Sequence, residues 1–271
     1  MGGRAFTDVL PVKRTDIPNA VSDFAQLIGL RNYQLLGSTG KKQISGDIDI
    51  SISGDDYLIG DVLTRAQKVL GPQSVNVRGM TMDQLYCRYE YRGAPLQIDI
   101  TVGYQPLLEL TYWAPHPDSS DYSGLHRTEL IKAVAKSMAQ TAERGGETVA
   151  RTGYTLLPNK GLILSSRWRK PNQTGGFVKK MTQVPTDRWC DFIFLFPELS
   201  FQIETVFREP HHIAELLFGM SDYSPEKLNS YEDVSRELCK NQHLSYNLDL
   251  IWQLYVDRLS DLGATIPRKM I

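Results

Sequence analysis

The sequence predicts an α+β fold, with strands early and helices late. Three observations lead there. Apolar–polar alternation of strand type recurs before residue 103. Apolar residues at helical spacing dominate after residue 187. Between them, one pair of alternating stretches flanks Pro158-Asn159-Lys160 and reads as a β-hairpin inside a mainly helical C-terminal region. The division expected is residues 1–120 and 121–271.

The elements follow in order. Pro18 to Leu30 reads as a helix, opened by Pro18 and striped by Val21, Phe24, Ala25, Leu27 and Ile28. Tyr33 to Leu36 is a short strand that enters Gly37-Ser38-Thr39-Gly40. Asp47 to Ile52 alternates acidic and apolar residues, so its strand has two distinct faces. Asp55 to Leu70 reads as a helix stopped by Gly71-Pro72. Ser74 to Arg78 reads as a strand, and Leu85–Tyr91 with Pro95–Val102 as a hairpin around Arg92-Gly93-Ala94. Gly103 to Ser123, rich in Pro, Asp and Ser, is expected to be a long loop. Leu125 to Arg144 reads as one long helix, and Glu147–Leu157 and Gly161–Lys170 as strands. Pro171 to Pro185 reads as a loop. Arg188–Phe196, Pro210–Gly219, Pro225–Lys240 and Tyr246–Leu262 read as helices.

Composition narrows the function classes. With 271 residues and 41% hydrophobic content, the chain can bury a substantial core. It has no apolar run of transmembrane length, and Met1 to Arg14 lacks the apolar stretch of a secretory signal or the residue pattern of a myristoylation site. A soluble, cytoplasmic protein is the expectation. Cys87, Cys190 and Cys239 are too few and too scattered for a disulfide framework or a zinc knuckle, and they read as buried or half-buried thiols. The net charge of -1 is unevenly spread: residues 121–190 carry +7, residues 191–271 carry -6 and the first 120 carry -2. A basic middle suits a polyanion such as a triphosphate or RNA, although chance imbalance explains it equally well.

The chemistry concentrates in Asp47-Ile48-Asp49-Ile50. Residues two apart on a strand share a face, so Asp47 and Asp49 project together while Ile48 and Ile50 enter the core. Two carboxylates on a core-packed strand repel each other and lose solvation unless a cation compensates them. Mg²⁺ is the natural partner, because it prefers oxygen ligands and bridges to phosphates. Asp99, in Gln97-Ile98-Asp99-Ile100, is a third acid on a strand of the following hairpin, within reach if its strand neighbours the first. Glu90 is an alternative to it. Gly37-Ser38 offers a turn whose N–H groups and hydroxyl can cradle phosphate oxygens.

Leu36-Gly37-Ser38, a spacer, Asp47-Ile48-Asp49-Ile50 and a later strand Asp99 together resemble the DNA polymerase beta-like nucleotidyltransferase superfamily, over roughly residues 20 to 103. The resemblance implies a small mixed sheet flanked by helices and two Mg²⁺ ions (or Mn²⁺) on Asp47, Asp49 and Asp99. It also implies transfer of NMP from an NTP with release of pyrophosphate. By the same resemblance Asp99 assists deprotonation of the acceptor hydroxyl, and residues 1–120 form the catalytic domain. One departure is the single glycine before Ser38, where a second is common.

Other residues carry two readings each. Lys41 and Lys42 either contact the triphosphate or decorate a solvated loop. Arg127, at the start of the helix after the long loop, either grips a phosphate or belongs to an ordinary helix face shared with Lys132 and Lys136. His126 is a proton-transfer residue or a surface histidine. Arg167-Trp168-Arg169-Lys170 suits stacking on single-stranded RNA or a plain strand end, and Lys179 and Lys180 suit a phosphate clamp. These features favour a template-independent nucleotidyltransferase acting on an RNA 3′ end such as that of tRNA. A toxin-type or modifying enzyme with a protein or small-molecule acceptor is the alternative. A non-catalytic nucleotide- or RNA-binding module is the other. The oligomeric state is not legible.

Overall fold

The computed structural model describes residues 5–78, 84–138, 140–144, 147–158, 161–168, 178–180, 207–240 and 247–268. The chain divides into two compact units: Met1–Thr128 with Leu228–Tyr231, and Glu129–Lys227 with Glu232–Ile271.

In the first unit, a five-stranded mixed sheet is built from β2 (Tyr33–Leu35), β4 (Ile48–Ser53), β5 (Val75–Arg78), β6 (Gln84–Tyr91) and β7 (Ala94–Gly103), ordered β2-β4-β7-β6-β5. β4 and β7 run parallel; the other pairings are antiparallel. A separate small ribbon pairs β1 (Val12–Lys13) with β3 (Ile44–Ser45). Helices α1 (Ile17–Ile28) and α2 (Ile59–Leu70) bring Phe24, Ile28, Val62 and Ala66 into one core with Ile48, Ile50, Ile52, Leu85, Ile98 and Ile100. That apolar face is the reason for the alternation in β4 and β7: each isoleucine turned to the helices leaves its acidic neighbour on the opposite face. The β6–β7 hairpin closes through Arg92 (φ 51°) and Gly93 (φ 77°), the two left-handed residues that a tight two-residue turn between twisted strands requires.

Two expectations about this unit need correction. The segment read as a long loop contains helix α3 (Gln105–Tyr112), which buries Leu107, Leu108, Leu110 and Thr111 and packs against β4. Its eight residues, with Pro106 in the first turn, are too short to show a helical period. The second helix starts at Ile59 rather than Asp55, after a turn in which Tyr57 N–H bonds to Ser53 O.

Helix α4 spans Gly124–Ser137 and does not continue to Arg144. Gln140–Arg144 is instead strand β8, paired antiparallel with β9 (Glu147–Leu157). With β10 (Gly161–Trp168) and β11 (Val178–Lys180) it makes a four-stranded sheet in the order β11-β10-β9-β8, where a lone hairpin was expected. Cross-strand pairing decides this segment, because Gln, Ala, Glu and Arg favour a helix when taken alone. Helices Pro210–Phe218, Tyr231–Lys240 and Leu248–Asp261 complete the described part of the second unit. The stretch before Tyr231 is a short 3₁₀ turn, Pro225–Leu228, rather than the start of one helix. The helix expected at Arg188–Phe196 lies outside the described residues. Among the described residues, no helix is long and apolar enough to cross a membrane.

Candidate functional site

The face of the first sheet opposite α1 and α2 gathers the acids. Asp49 on β4 and Asp99 on β7 are directly paired across the parallel strands. Asp99 is buried, whereas Asp47 and Asp49 are half-buried. Loss of solvation, then the neighbouring Asp47 charge, pushes the Asp49 carboxyl up to about 6; the Thr39 side chain, hydrogen-bonded to it, acts in the opposite sense. Burial, then the Asp49 charge, pushes Asp99 up to about 8, against the pull of its hydrogen bond with Gln97. Among the described residues neither Asp49 nor Asp99 takes part in an ion pair. Glu90 is exposed and lies opposite Pro95 at the far end of the hairpin, away from the Asp49–Asp99 pair.

The turn Leu36–Lys41 is fastened to Asp49. Leu36 N–H donates to Asp49 O and Asp49 N–H to Thr39 Oγ1, both at 2.9 Å. Gly37 takes the left-handed conformation (φ 60°), and a Cβ there would stand 3.6 Å from Asp49 Oδ2 and 3.7 Å from Tyr112 O. The turn uses the N–H groups of Thr39 and Lys41 internally, while those of Gly37, Ser38 and Gly40 make no hydrogen bond among the described residues. The turn fastened to Asp49 thus keeps three backbone donors unused among the described residues.

The basic residues lie differently from one another. Lys41 is half-buried: its ammonium donates to Ala114 O and stands 3.9 Å from the centroid of the Trp113 ring. Burial lowers its pKa; Glu109 opposes that shift and Arg127 adds to it. Lys42 is exposed. Arg127, expected at a phosphate, is 0% exposed, and it donates from Nε to Leu228 O and from Nη1 to Leu110 O at 2.6 Å. In this structure it ties α3 to the Leu228–Tyr231 segment. Trp113 Nε1 joins the same segment by donating to Asn229 Oδ1 at 2.6 Å. His126 is buried with Nδ1 3.0 Å from Ser123 Oγ, not a surface histidine. Lys132 pairs with Glu129 at 2.8 Å and Lys136 is exposed. Arg167 and Trp168 fall on β10, and Lys179 and Lys180 on β11; Arg169 and Lys170 lie outside the described residues. Cys87 is buried and Cys239 is half-buried.

No protein-family model and no curated protein matches this chain.

Sequence reasoning missed two residues of this face. Thr39 is the anchor of the turn on Asp49. Gln97 donates from Nε2 to Asp99 Oδ1 at 2.9 Å. The period-two spacing from Gln97 to Asp99 was the available signal, since it places both on one face.

The donor set fits a divalent cation. It consists of hard carboxylate oxygens on adjoining strands, with carboxyl groups that hold their protons abnormally well and carry no cationic partner among the described residues. Among those residues no group of three or more His, Cys, Asp or Glu side chains is already drawn together around a common point.

Proposed function

We propose that this protein is a template-independent nucleotidyltransferase that moves NMP from an NTP to a hydroxyl acceptor and releases pyrophosphate. The observation that carries the reading is the Asp49–Asp99 pair: two carboxylates in register on parallel strands, sunk beside a glycine turn with unused backbone donors. The residues that would hold Mg²⁺, or Mn²⁺ in its place, are Asp47, Asp49 and Asp99. When bound, two such ions supply the charge neutralisation and Lewis acidity that in-line transfer of a phosphoryl group needs.

The chain's own groups then have separate tasks. The Gly37, Ser38 and Gly40 N–H groups, with the Ser38 hydroxyl, bind phosphate oxygens of the triphosphate. Gly37 has no side chain, which lets those oxygens approach the backbone beside Asp49. Lys41 and Lys42 add positive charge next to the turn. Lys41 must first leave Ala114 O and the Trp113 face, which holds it close by with little freedom to lose. Asp99 orients the acceptor hydroxyl and takes its proton.

The basic stretch 121–190 favours an RNA 3′ end such as that of tRNA as acceptor. The test is incubation with each α-labelled NTP, Mg²⁺, and separate RNA, protein and metabolite fractions. Label is expected in the RNA fraction and is expected to vanish in Asp47→Asn and Asp49→Asn. Label in the protein or metabolite fraction would move the acceptor while leaving the reaction in place. Full labelling by either variant would end the metal assignment.

A further inference from the structure

The N-terminal segment Ala5–Leu10 lies along β6 and β7 on the face that carries Asp99. Arg88 Nε donates to Asp8 Oδ2 at 2.7 Å, and Leu10 N–H donates to Pro95 O at 2.8 Å. Phe6 and Val9 pack on Tyr86, which is the cross-strand partner of Asp99. One further bond reaches the site itself. Ala5 N–H donates to Gln97 Oε1 at 2.9 Å, and Gln97 Nε2 donates to Asp99 Oδ1 at 2.9 Å. Gln97 is 1% exposed, so water cannot substitute freely for either partner.

The order of these bonds has a direction. A backbone N–H can only donate, so it fixes which end of the Gln97 amide faces Ala5. Oε1 is taken there, and Nε2 must turn to Asp99. Without Ala5 the amide loses one of its two fixed partners, and only its bond to Asp99 holds it in place. With Oδ1 held, Oδ2 makes no hydrogen bond among the described residues and is free for a ligand.

We propose that Gln97 is a positioning residue for Asp99, set in its working orientation by the backbone N–H of Ala5. The inference rests on the reading of Asp99 as a functional acid. Through it the N-terminal segment controls the site without touching substrate. Partners that orient a metal-binding carboxylate typically account for about 10–100-fold in affinity or activity.

The test uses the full chain with four variants. Gln97→Leu removes the donor, Ala5→Pro removes the N–H and fixes φ, Ala5→Gly retains the N–H, and the double variant combines Gln97→Leu with Ala5→Pro. Mn²⁺ binding to the metal-free protein is measured by calorimetry, and kcat and KM for NTP are measured separately. Gln97→Leu is expected to weaken Mn²⁺ binding and lower kcat by about tenfold or more, with KM for NTP little changed. Ala5→Pro is expected to move both in the same direction by a smaller factor, and Ala5→Gly to match the wild type. In the double variant Ala5→Pro should add nothing, because its only route is through Gln97. Wild-type Mn²⁺ affinity in Gln97→Leu, or an undiminished Ala5→Pro effect in the double variant, overturns the proposal. If Gln97→Leu does not fold, Ala5→Pro against Ala5→Gly decides it alone, and equal Mn²⁺ binding by those two overturns it. An Asp99→Asn control separates the two levels. If Asp99→Asn binds Mn²⁺ and turns over like the wild type, the role of Asp99 falls and this inference with it. If Asp99→Asn is inactive while Gln97→Leu is unimpaired, only this inference falls.

Discussion

Asp49 and Asp99 stand opposite each other across the parallel strands β4 and β7, and the Asp49 charge raises further the proton affinity that burial has already raised at Asp99, as Asp47 does at Asp49. In the unfolded chain both titrate near pH 4. Their folded values of about 6 and about 8 mean that the metal-free native state binds protons more tightly than the unfolded state. Their contribution to stability is therefore fully present below about pH 4 and is lost as pH rises through 6 and then 8. Asp99→Asn removes the larger shift, so in chelator it should raise the melting temperature near pH 8.5 by several degrees, on the order of 1–3 kcal/mol, and change little near pH 4.5. Thermal melts at both pH values check this. An equal effect at the two would refute it.

A divalent cation should reverse the same penalty. Mg²⁺ or Mn²⁺ binds the ionised carboxylates of the native state and so stabilises it, by about 2.7 kcal/mol at a hundred times Kd. Protons compete for the same oxygens, so the gain should be large near pH 8 and small near pH 5. Asp49→Asn should shrink it at both. Thermal melts across a Mg²⁺ titration measure it, and a gain independent of pH would place the ion elsewhere.

Gly37 holds φ 60°, and a Cβ there would meet Asp49 Oδ2 and Tyr112 O at ordinary contact distances of 3.6 and 3.7 Å. The barrier to substitution is thus the backbone and not crowding. Gly37→Ala should cost about 1 kcal/mol, and Gly37→Asn less, because Asn tolerates the left-handed conformation. The β-branched Gly37→Val should cost most and distort the turn bonded to Asp49. Urea unfolding and KM for NTP should rank the variants in the same order. Equal KM values for all three would remove Gly37 from the phosphate cradle.

The acidic face was legible because it rests on the shortest period in protein structure. Asp47, Asp49 and Asp99 alternate with isoleucines that have to be buried, so the acids of one sheet face could be written down residue by residue. The parallel pairing that sets Asp49 opposite Asp99 was not legible, because strand order is decided by helices and loops far from either residue. α3 was hidden by its length and by Pro106. β8 was hidden because Gln140–Arg144 has helical preference and becomes a strand only through its partner β9. Arg127 shows a third kind of failure. Its position at a helix start was legible, but the carbonyls that draw a guanidinium inward, Leu110 O and Leu228 O, are 17 and 101 residues away.

That burial gives Arg127 a measurable signature of its own. A phosphate ligand on a helix surface would change KM for NTP when removed and leave the fold alone. The structure gives Arg127 no exposed surface and two backbone carbonyl partners. Arg127→Met keeps much of the volume but leaves Leu110 O and Leu228 O without these donors, and a buried acceptor stripped of its donor costs about 1–3 kcal/mol. The expected result is a loss of about 2–4 kcal/mol in urea unfolding, with the first unit affected and KM for NTP changed only as far as partial unfolding requires. Arg127→Lys should recover part of the stability, since one ammonium can serve one carbonyl but not both in the planar geometry of a guanidinium. Wild-type stability in Arg127→Met together with a raised KM would return this residue to the phosphates.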